Sequence, residues 1–394
     1  MKIAPLGGPL ITKTTVTAAI LTVLMAGLIL YRFVFGLGAV TNLNNGYPFG
    51  LWIVYDLVIG TAFACGGYGM ALLVYVLNKG EYHALVRPAL LASMFGYTLG
   101  GVSVIFDIGR WWNAWHIITP GWANPTSVMF EVGACITLYC LVMWIEFTPA
   151  FLEKWAPPKS RKALGKVMYV FIALGVLLPT MHQSSLGTLL VPFGFRLHPL
   201  WQTHLLPPLF LISALCMGYA MVVFEATLVS KAYRRPSEAD LLARLSKYIS
   251  GLLVAYLALR WGGLAVEGKL ALAFDSGGLS TMFLFENLLF ALPILLLSSD
   301  KGRRNPQTLF IAAVCMLLAG SLYRLDAFLL ATDRPGWHYF PAIGEILVSV
   351  GIVAVEVLAY VVFVKMLPVL EVADEGGPVL HTVKRADLAA TTQE

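Results

Sequence analysis

The sequence predicts an all-α integral membrane protein with about ten transmembrane helices. Of its 394 residues, 58% are hydrophobic and only 12% are charged, whereas soluble domains carry about 25% charged residues. The hydrophobic residues gather in runs of about 20, the length that an α-helix needs to cross a bilayer, and the mean hydropathy is +0.77. The basic residues give a net charge of +5 but stand in short blocks between these runs. They therefore indicate membrane topology and no nucleic-acid partner.

Ten apolar runs are long enough to be spans. Proline stands at or just before four of their starts, where a missing N–H costs least, at Pro88, Pro125, Pro207 and Pro341. The first run has no clear small-x-small cleavage site, so we expect a retained span and not a cleaved signal peptide. The predicted spans are residues 14–34, 51–78, 88–110, 126–150, 163–184, 207–231, 242–262, 281–299, 307–330 and 341–366.

Basic residues alternate across these spans and give the orientation. One set of connections carries "EKWAPPKSRKALGK", "KAYRRPSEADLLARLSK" and "DKGRRNP", with Lys2 and Lys13 at the start and Lys384 and Arg385 in the tail. By the positive-inside rule this set faces the cytoplasm, so both termini and the tail 371–394 are predicted to be cytoplasmic. The opposite connections are rich in aromatic residues, as in "RWWNAW". That pattern is typical of a membrane-interface belt or of a docking surface for a partner.

A faint internal repeat predicts how the spans are grouped. "SVMFE" at Ser127–Glu131 matches "STMFLFE" at Ser280–Glu286, and "GRWW" at Gly109–Trp112 matches "LRWG" at Leu259–Gly262. Both offsets are near 150 residues with parallel orientation, as a duplicated half would leave. The expected architecture is a single transmembrane domain, 1–370, with four-helix bundles at 51–184 and 207–330 flanked by spans 1 and 10.

Ionisable side chains inside spans are costly and usually mark function. Four neighbouring helices that supply polar groups at one level predict a pocket. Glu146 lies about 22 Å from Glu131 on the same predicted helix, near its inner end, where its carboxyl group can serve a proton route or snorkel to the surface. Counted from the predicted span ends, five groups on spans 2 to 5 share a depth near the outer face: Asp56, Asp107, Arg110, Glu131 and His182.

These polar residues also have structural interpretations. Asp107 and Arg110 are three residues apart and can form an ion pair. The other outer carboxylates can be interface groups near water, and His182 can be a core histidine with its hydrogen bonds satisfied. In the second half of the chain, Arg324 and Asp326 are candidates for a structural ion pair.

Cysteine and histidine positions argue against several cofactors and activities. The five cysteines fall in apolar runs and no CxxC occurs, so no iron–sulfur cluster is expected in this chain. Among seven histidines only His182 lies within a predicted span, whereas a transmembrane b-type haem needs two axial ligands, so no haem is expected. No metal site is predicted. Ser184 or Ser185 beside His182 gives little support for a hydrolase, because a nucleophile also needs an orienting group.

Four stretches of the chain resemble one family of membrane subunits. They are "LLPTMHQSSLG" at 177–187, "GTAFACGGYGMALLVYVLNKGEYHALVRPALLASMFGYTLGG" at 60–101, "FDIGRWWN" at 106–113 and "PLWQT" at 199–203. Over nearly its whole length, the chain is similar to the integral membrane subunit of hydrogenase-2-type nickel–iron hydrogenases. That family belongs to the wider group of polysulfide- and nitrite-reductase-type quinone-reactive membrane subunits.

The resemblance implies a haem-free oxidoreductase subunit, inactive alone, that exchanges electrons with menaquinone or ubiquinone in the bacterial inner membrane. The implied partners are a periplasmic iron–sulfur electron-transfer subunit, the large and small nickel–iron hydrogenase subunits and membrane lipid. Proton translocation coupled to quinone reduction is a further expectation. The implied site residues are His182, which partners a quinone carbonyl, Gln183, Asp56, Asp107 and Arg110, which line the site, and Asp56, Glu131 and Glu146, which handle protons.

Three alternative functions stay open. The chain can serve another iron–sulfur or molybdopterin respiratory oxidoreductase as its quinone-reactive subunit. A membrane anchor without quinone chemistry would need no polar layer in the first bundle. A secondary transporter, which the repeat allows, would have broken helices and a binding site near mid-membrane. The predicted outer position of the polar layer favours quinone chemistry.

Overall fold

The computed structural model confirms the ten predicted helices. The structure describes residues 2–117, 119, 121–155, 157, 164–233, 238–332 and 334–372; among them, ten helices are long and apolar enough to cross a membrane. We call the side on which the first helix ends, at Phe35, and the second begins, at Trp52, the outer side. The name follows the orientation predicted from the sequence. The helices are α1 (Lys13–Phe35), α2 (Trp52–Val76), α3 (Gly80–Asp107), α4 (Val128–Trp155), α5 (Met168–Leu190), α6 (Leu206–Ala232), α7 (Ala239–Val266), α8 (Gly278–Leu296), α9 (Pro306–Leu330) and α10 (Ile343–Met366).

Shorter elements lie in the connections between these helices. A five-residue helix, Asp300–Arg304, joins α8 to α9 on the inner side. The connections on the outer side carry 3-10 helices at Leu37–Ala39, Trp111–Ile117, Gly194–Arg196 and Leu270–Phe274.

Two helix boundaries differ most from the predicted ones. α5 continues to Leu190, six residues past the predicted end at 184, because the polar side chains there bond to their own helix. Ser184 Oγ donates to the Thr180 carbonyl at 2.9 Å, and Thr188 Oγ1 donates to the Ser184 carbonyl at 3.1 Å. These hydroxyl groups are thus satisfied at bilayer depth. α3 begins at Gly80, eight residues before its predicted start, because its first turns carry charged residues that the hydropathy pattern assigned to a loop.

α2 is not a continuous α-helix. It opens with wide π-helical turns at Trp52–Ile59, breaks at Ala64 and Cys65, and ends in a second π-helical segment at Leu72–Val76. α9 likewise ends in a π-helical segment at Asp326–Leu330. Such turns are rare in proteins and are frequent at functional sites.

Close backbone contact holds the break in α2. The backbone N–H of Gly67 donates to Ser93 Oγ of α3 at 2.7 Å. On α6, Gly218 packs against the same point, where an added Cβ would lie 2.5 Å from the carbonyl oxygen of Cys65. A side chain larger than hydrogen at position 218 would therefore push α6 away from α2.

The packing of the helices places α6 in the middle. α6 contacts α2 and α5 as well as α7 and α9, while α8 packs against α9 and α4 packs along α5. α1 packs along α10, which also contacts α3. Because α6 contacts helices of both halves, the division into bundles at 51–184 and 207–330 stays a prediction.

The two ends of the described chain meet. Strand β1 (Lys2–Ile3) pairs antiparallel with strand β2 (Glu371–Val372), and the backbone N–H of Leu6 donates to the Val364 carbonyl at 3.2 Å. Both ends therefore lie on one side of the helices, as an even number of spans requires. The predicted tail from residue 373 onward lies outside the described residues.

Candidate functional site

A buried polar network joins α2, α3 and α5 around His182 and Gln183. Thr61 Oγ1 lies 3.2 Å from His182 Nε2 and accepts from Gln183 Nε2 at 3.3 Å. Gln183 Nε2 also donates to Tyr97 OH at 3.3 Å, and Tyr97 OH lies 3.5 Å from Cys65 Sγ. Both His182 and Gln183 have no exposed surface. Sequence analysis found the histidine and the glutamine but missed Thr61, Tyr97 and Cys65, which look like ordinary residues of apolar helices.

Arg324 brings the second half of the chain into this network. Its Nη2 donates to Gln183 Oε1 at 3.3 Å and its Nη1 to Ser213 Oγ at 3.1 Å. No carboxylate lies within ion-pair distance of Arg324 in the described part of the chain. The expected pair with Asp326 is wrong, because residues two apart on a helix point to different faces. The guanidinium instead uses neutral oxygens and the ring of Phe210, 5.1 Å away.

A cavity of about 390 Å³ lies on the outer side of the network. Leu186 stands one helical turn after His182 on α5, and Leu57 stands one turn before Thr61 on α2. The network thus lies beneath the inner end of the cavity. Its walls are mostly apolar, as ligand pockets are. The residues that line it are Phe49, Ile53, Leu57, Val58, Val104, His116, Ile117, Trp122, Ala123, Asn124, Ser127, Met129, Phe130, Val132, Gly133, Ile136, Leu186, Leu189 and Phe328.

The five outer groups do not share one depth. His182 stands eight residues before the end of α5, about 12 Å inside that end. Asp56 and Glu131 lie within two turns of the outer starts of α2 and α4, and Asp107 is the last residue of α3. The prediction of a single layer is therefore wrong, since it placed the end of α5 at residue 184. The site has an outer level of carboxylates and a deeper histidine network.

Asp56 and Asp107 lie on the side of the outer level that packs against α1 and α10. Asp56 Oδ2 accepts from Ser349 Oγ of α10 at 2.9 Å, and Asp56 Oδ1 has no described hydrogen-bond partner. On α1, Arg32 donates to the carbonyls on either side of Asp107, at Phe106 and Ile108. Neither aspartate lines the cavity.

Arg110 does not join the site. Its side chain is exposed, and among the described residues no ion pair joins it to Asp107. Both interpretations of this pair, as an ion pair and as part of the pocket lining, therefore lack a contact that would support them.

Glu131 and Glu146 lie at the contact between α4 and α5. Glu131 Oε1 accepts from Ser185 Oγ at 2.8 Å, three residues from His182. Glu146 packs against Gly175 of α5, and its Oε1 has no described hydrogen-bond partner. Tyr139, fully buried between them, sets its ring edge-to-face on Tyr97 with centroids 4.6 Å apart. Glu131 is thus connected to the histidine helix, whereas Glu146 has no hydrogen-bonded path to Tyr139 in the described structure.

A second buried cluster surrounds Arg260 on α7. Arg260 Nη2 lies 3.8 Å from Glu286 Oε1 of α8, and Trp201 Nε1 donates to Glu286 Oε2 at 3.0 Å. Both side-chain oxygens of Asp326 are buried there, next to the carboxyl group of Glu286. Arg260 and Glu286 lie in the repeat segments that match those of Arg110 and Glu131, but their contact was not predicted from the sequence. The first-half residues make no such pair in the part of the chain that the structure describes.

The fold and the site define a polytopic integral membrane protein with a buried polar site beneath an outer apolar cavity. Residues 39–332 match the family model described as polysulphide reductase, NrfD. The chain belongs to this family of membrane subunits.

Three relatives of the chain carry the names of oxidoreductase subunits. The chain is 45% identical, over 97% of its length and 98% of the relative's, to the probable Ni/Fe-hydrogenase 2 b-type cytochrome subunit of Escherichia coli. It is 28% identical, over 85% of its length and 86% of the relative's, to the menaquinone reductase integral membrane subunit of Nitratidesulfovibrio vulgaris. A selenate reductase subunit of Mesobacillus selenatarsenatis is 22% identical over 83% of this chain and 87% of its own.

Proposed function

We propose that this chain is the quinone-reactive membrane subunit of a respiratory hydrogenase complex. In this role it passes electrons between a periplasmic iron–sulfur partner and the quinone pool of the bacterial inner membrane, with both termini in the cytoplasm. One observation carries the proposal. The Nδ1 atom of His182 is buried without a described partner, one turn beneath an apolar cavity, in a chain 45% identical to a hydrogenase 2 membrane subunit.

The residues around the cavity fit a quinone as substrate. Reduction of a quinone takes two electrons and two protons. The apolar walls suit a ring and its isoprenoid tail, and a histidine can donate to or accept from a carbonyl oxygen at neutral pH. Thr61 holds the Nε2 side of His182, so the ring presents Nδ1. Arg324 holds the oxygen of the Gln183 amide, which orients its N–H groups toward Thr61 and Tyr97.

The name of the Escherichia coli relative includes a b-type cytochrome, but the residues of this chain do not fit a transmembrane haem. Among the six described histidines, His182 is the one that is buried. His83 lies in the first turns of α3 at the inner side and is exposed. Two axial ligands at one depth are therefore lacking in the described chain, and we propose a haem-free subunit.

Protons for the quinone are proposed to pass along α4 and α5. Glu131 is hydrogen-bonded to Ser185, one turn from His182, and Tyr139 connects the same helix to the ring of Tyr97. Glu146 is proposed as the inner mouth of this route, which would couple quinone reduction to proton translocation.

The similarity to a menaquinone reductase subunit supports a second candidate, the same role in a different oxidoreductase complex. The transporter alternative predicted a broken helix and a deeper site, and α2 and His182 show both features. Membership in a family whose named relatives are subunits of hydrogenase, menaquinone reductase and selenate reductase favours oxidoreductase chemistry over transport and over a plain anchor.

Replacing His182 tests the proposal. In the purified complex, His182→Ala is expected to lower hydrogen-dependent quinone reduction by about 10²-fold, the contribution of a positioned acid–base group. Hydrogen oxidation with an artificial dye should persist, because dyes draw electrons from the partner subunits. His83→Ala, at the exposed inner histidine, is the matched control and should keep both activities. Equal loss of both activities in His182→Ala would show damaged assembly, and full retention of both would contradict the proposed site.

A further inference from the structure

A second group of buried acids lies on the inner side, between α3, α6 and α10. A cavity of about 30 Å³ is lined there by Leu85 and Pro88 of α3, Glu225 of α6, and Glu238 and Tyr360. This volume is large enough for a water molecule, which needs about 10–15 Å³ and polar neighbours. Tyr360 OH donates to Glu225 Oε1.

Glu356 extends this group toward the membrane centre. It stands four residues before Tyr360 on α10, so the two side chains lie on one face of the helix. A Cβ added at Gly96 of α3 would lie 3.4 Å from Glu356 Oε1 and 2.7 Å from Ala64 Cβ of α2. Gly96 precedes Tyr97 and Ala64 precedes Cys65, two members of the histidine network. The carboxyl group of Glu356 therefore sits beside the inner edge of that network.

These groups lie at successively greater depths from the outer side. Counted from the outer helix ends, His182 lies about 12 Å deep, Tyr97 about 15 Å, Glu356 about 20 Å, and Tyr360 and Glu225 about 26–28 Å. In the described part of the chain, no lysine or arginine lies within ion-pair distance of Glu225 or Glu356. Acids in a bilayer that are not paired with a cation are costly to keep and typical of proton relays.

We propose that Glu225, Tyr360 and Glu356 form a proton path from the cytoplasmic side to the Tyr97–Gln183–His182 network. The inference rests on the proposed quinone function and adds a second inner entry, separate from Glu146. For each quinone reduced, two electrons arrive from the iron–sulfur partner and the path delivers protons from cytoplasmic water. A proton enters at the Glu225 cavity, moves through Tyr360 to Glu356, and reaches the quinone oxygen by way of the histidine network.

The test uses the whole complex in sealed vesicles with its hydrogenase side outward and a pH-sensitive dye trapped inside. Hydrogen drives reduction of a quinone in the membrane, and the interior protons taken up per quinone reduced are measured. Glu225→Gln, Glu356→Gln and Tyr360→Phe are each expected to lower this interior uptake, and the uptake that remains is expected to enter at Glu146. Asp240→Asn is the matched control at an exposed inner acid that pairs with Arg304, and it should behave as wild type.

Glu225→Asp and Glu356→Asp, which keep a titrating group, should restore part of the uptake. If a glutamine variant fails to assemble, the interior uptake of Tyr360→Phe and of the aspartate variants tests the path instead. The path is wrong if wild type reduces quinone without interior uptake, or if all three path variants match wild type in uptake, whatever Glu146→Gln does. Those outcomes leave the quinone function standing. If the wild-type complex oxidises hydrogen with an artificial electron-accepting dye but does not reduce quinone with hydrogen, both the proton path and the quinone function are wrong.

Discussion

At the residue scale, the site consists of one unusual residue and several ordinary ones. His182 attracts notice in a sequence because a histidine is rare within a span. Thr61, Tyr97 and Ser213 do not, because threonine, tyrosine and serine are common in membrane helices. Their convergence on Gln183 and Arg324 depends on how the helices are rotated about their axes. Sequence reasoning could therefore find the centre of the site but not its supporting hydrogen bonds.

Arg324 gives a prediction about how Gln183 is positioned. Arg324→Met keeps much of the length of the side chain but leaves the Gln183 and Ser213 oxygens without their donor. Loss of a partner for a buried polar group costs about 1–3 kcal/mol. We expect a raised KM for quinone with dye activity unchanged, measured alongside the melting temperature of the complex. A variant that melts earlier but keeps its KM for quinone would make Arg324 structural only.

Haem content is a second prediction from single residues. Because the described chain offers one buried histidine, the purified subunit should show no Soret band in stoichiometric amount. The measurement is an absorption spectrum in the oxidised and reduced states, taken after any cytochrome-containing partner has been removed. A band that copurifies one-to-one with this chain would overturn the haem-free proposal.

At the element scale, polar stretches caused the main error in the predicted helices. The run "HQSSLG" reads as the end of a span by hydropathy, yet the helix continues through it to Leu190. The hydroxyl groups of serine and threonine donate hydrogen bonds to carbonyls one turn back in the helix. An average of hydropathy values does not include these hydrogen bonds. The shift in the end of α5 moved His182 from the outer boundary to a deeper level, which changed the geometry of the site.

The close approach of α2 and α6 gives a prediction at this scale. Gly218→Ala adds a Cβ that would lie 2.5 Å from a backbone carbonyl, and overpacking of this kind costs about 1–3 kcal/mol. We expect a lower melting temperature in detergent. Gly262→Ala is the matched control, because nothing lies within 4 Å of the added atom on α7. Equal melting temperatures for the two variants would show that α6 shifts without cost.

At the scale of the whole molecule, hydropathy and charge were enough for the number of spans. They were not enough for the grouping of helices, because α6 presents contacts in several directions and a linear pattern does not encode neighbours. The internal repeat predicted a grouping of spans and no side-chain pairs, so the contact between Arg260 and Glu286 was not predicted from the sequence.

Coupling across the membrane gives a prediction for the complete complex. Glu146→Gln keeps the side-chain shape and removes its proton. Quinone reduction in detergent should stay close to wild type, because protons then reach the site from either side. In sealed vesicles the voltage formed per quinone reduced should fall, as measured with a voltage-sensitive dye. If wild type forms no voltage, or if the variant equals wild type, Glu146 is an interface acid and takes no part in coupling.

The contact of α1 with α10 has a consequence for biosynthesis. Among the described helices, α1 is synthesised first and α10 last, so the surface of α10 along which α1 packs is absent while the helices between them are made. Ser349, the partner of Asp56, arrives on that same helix, and the strand that pairs with Lys2–Ile3 follows it. Until α10 is made, α1 has its contacts with the end of α3 through Arg32 but lacks those with α10, and Asp56 lacks its hydrogen-bond donor. Insertion of α10 thus completes the outer carboxylate level and joins the two ends of the described chain in one step of assembly.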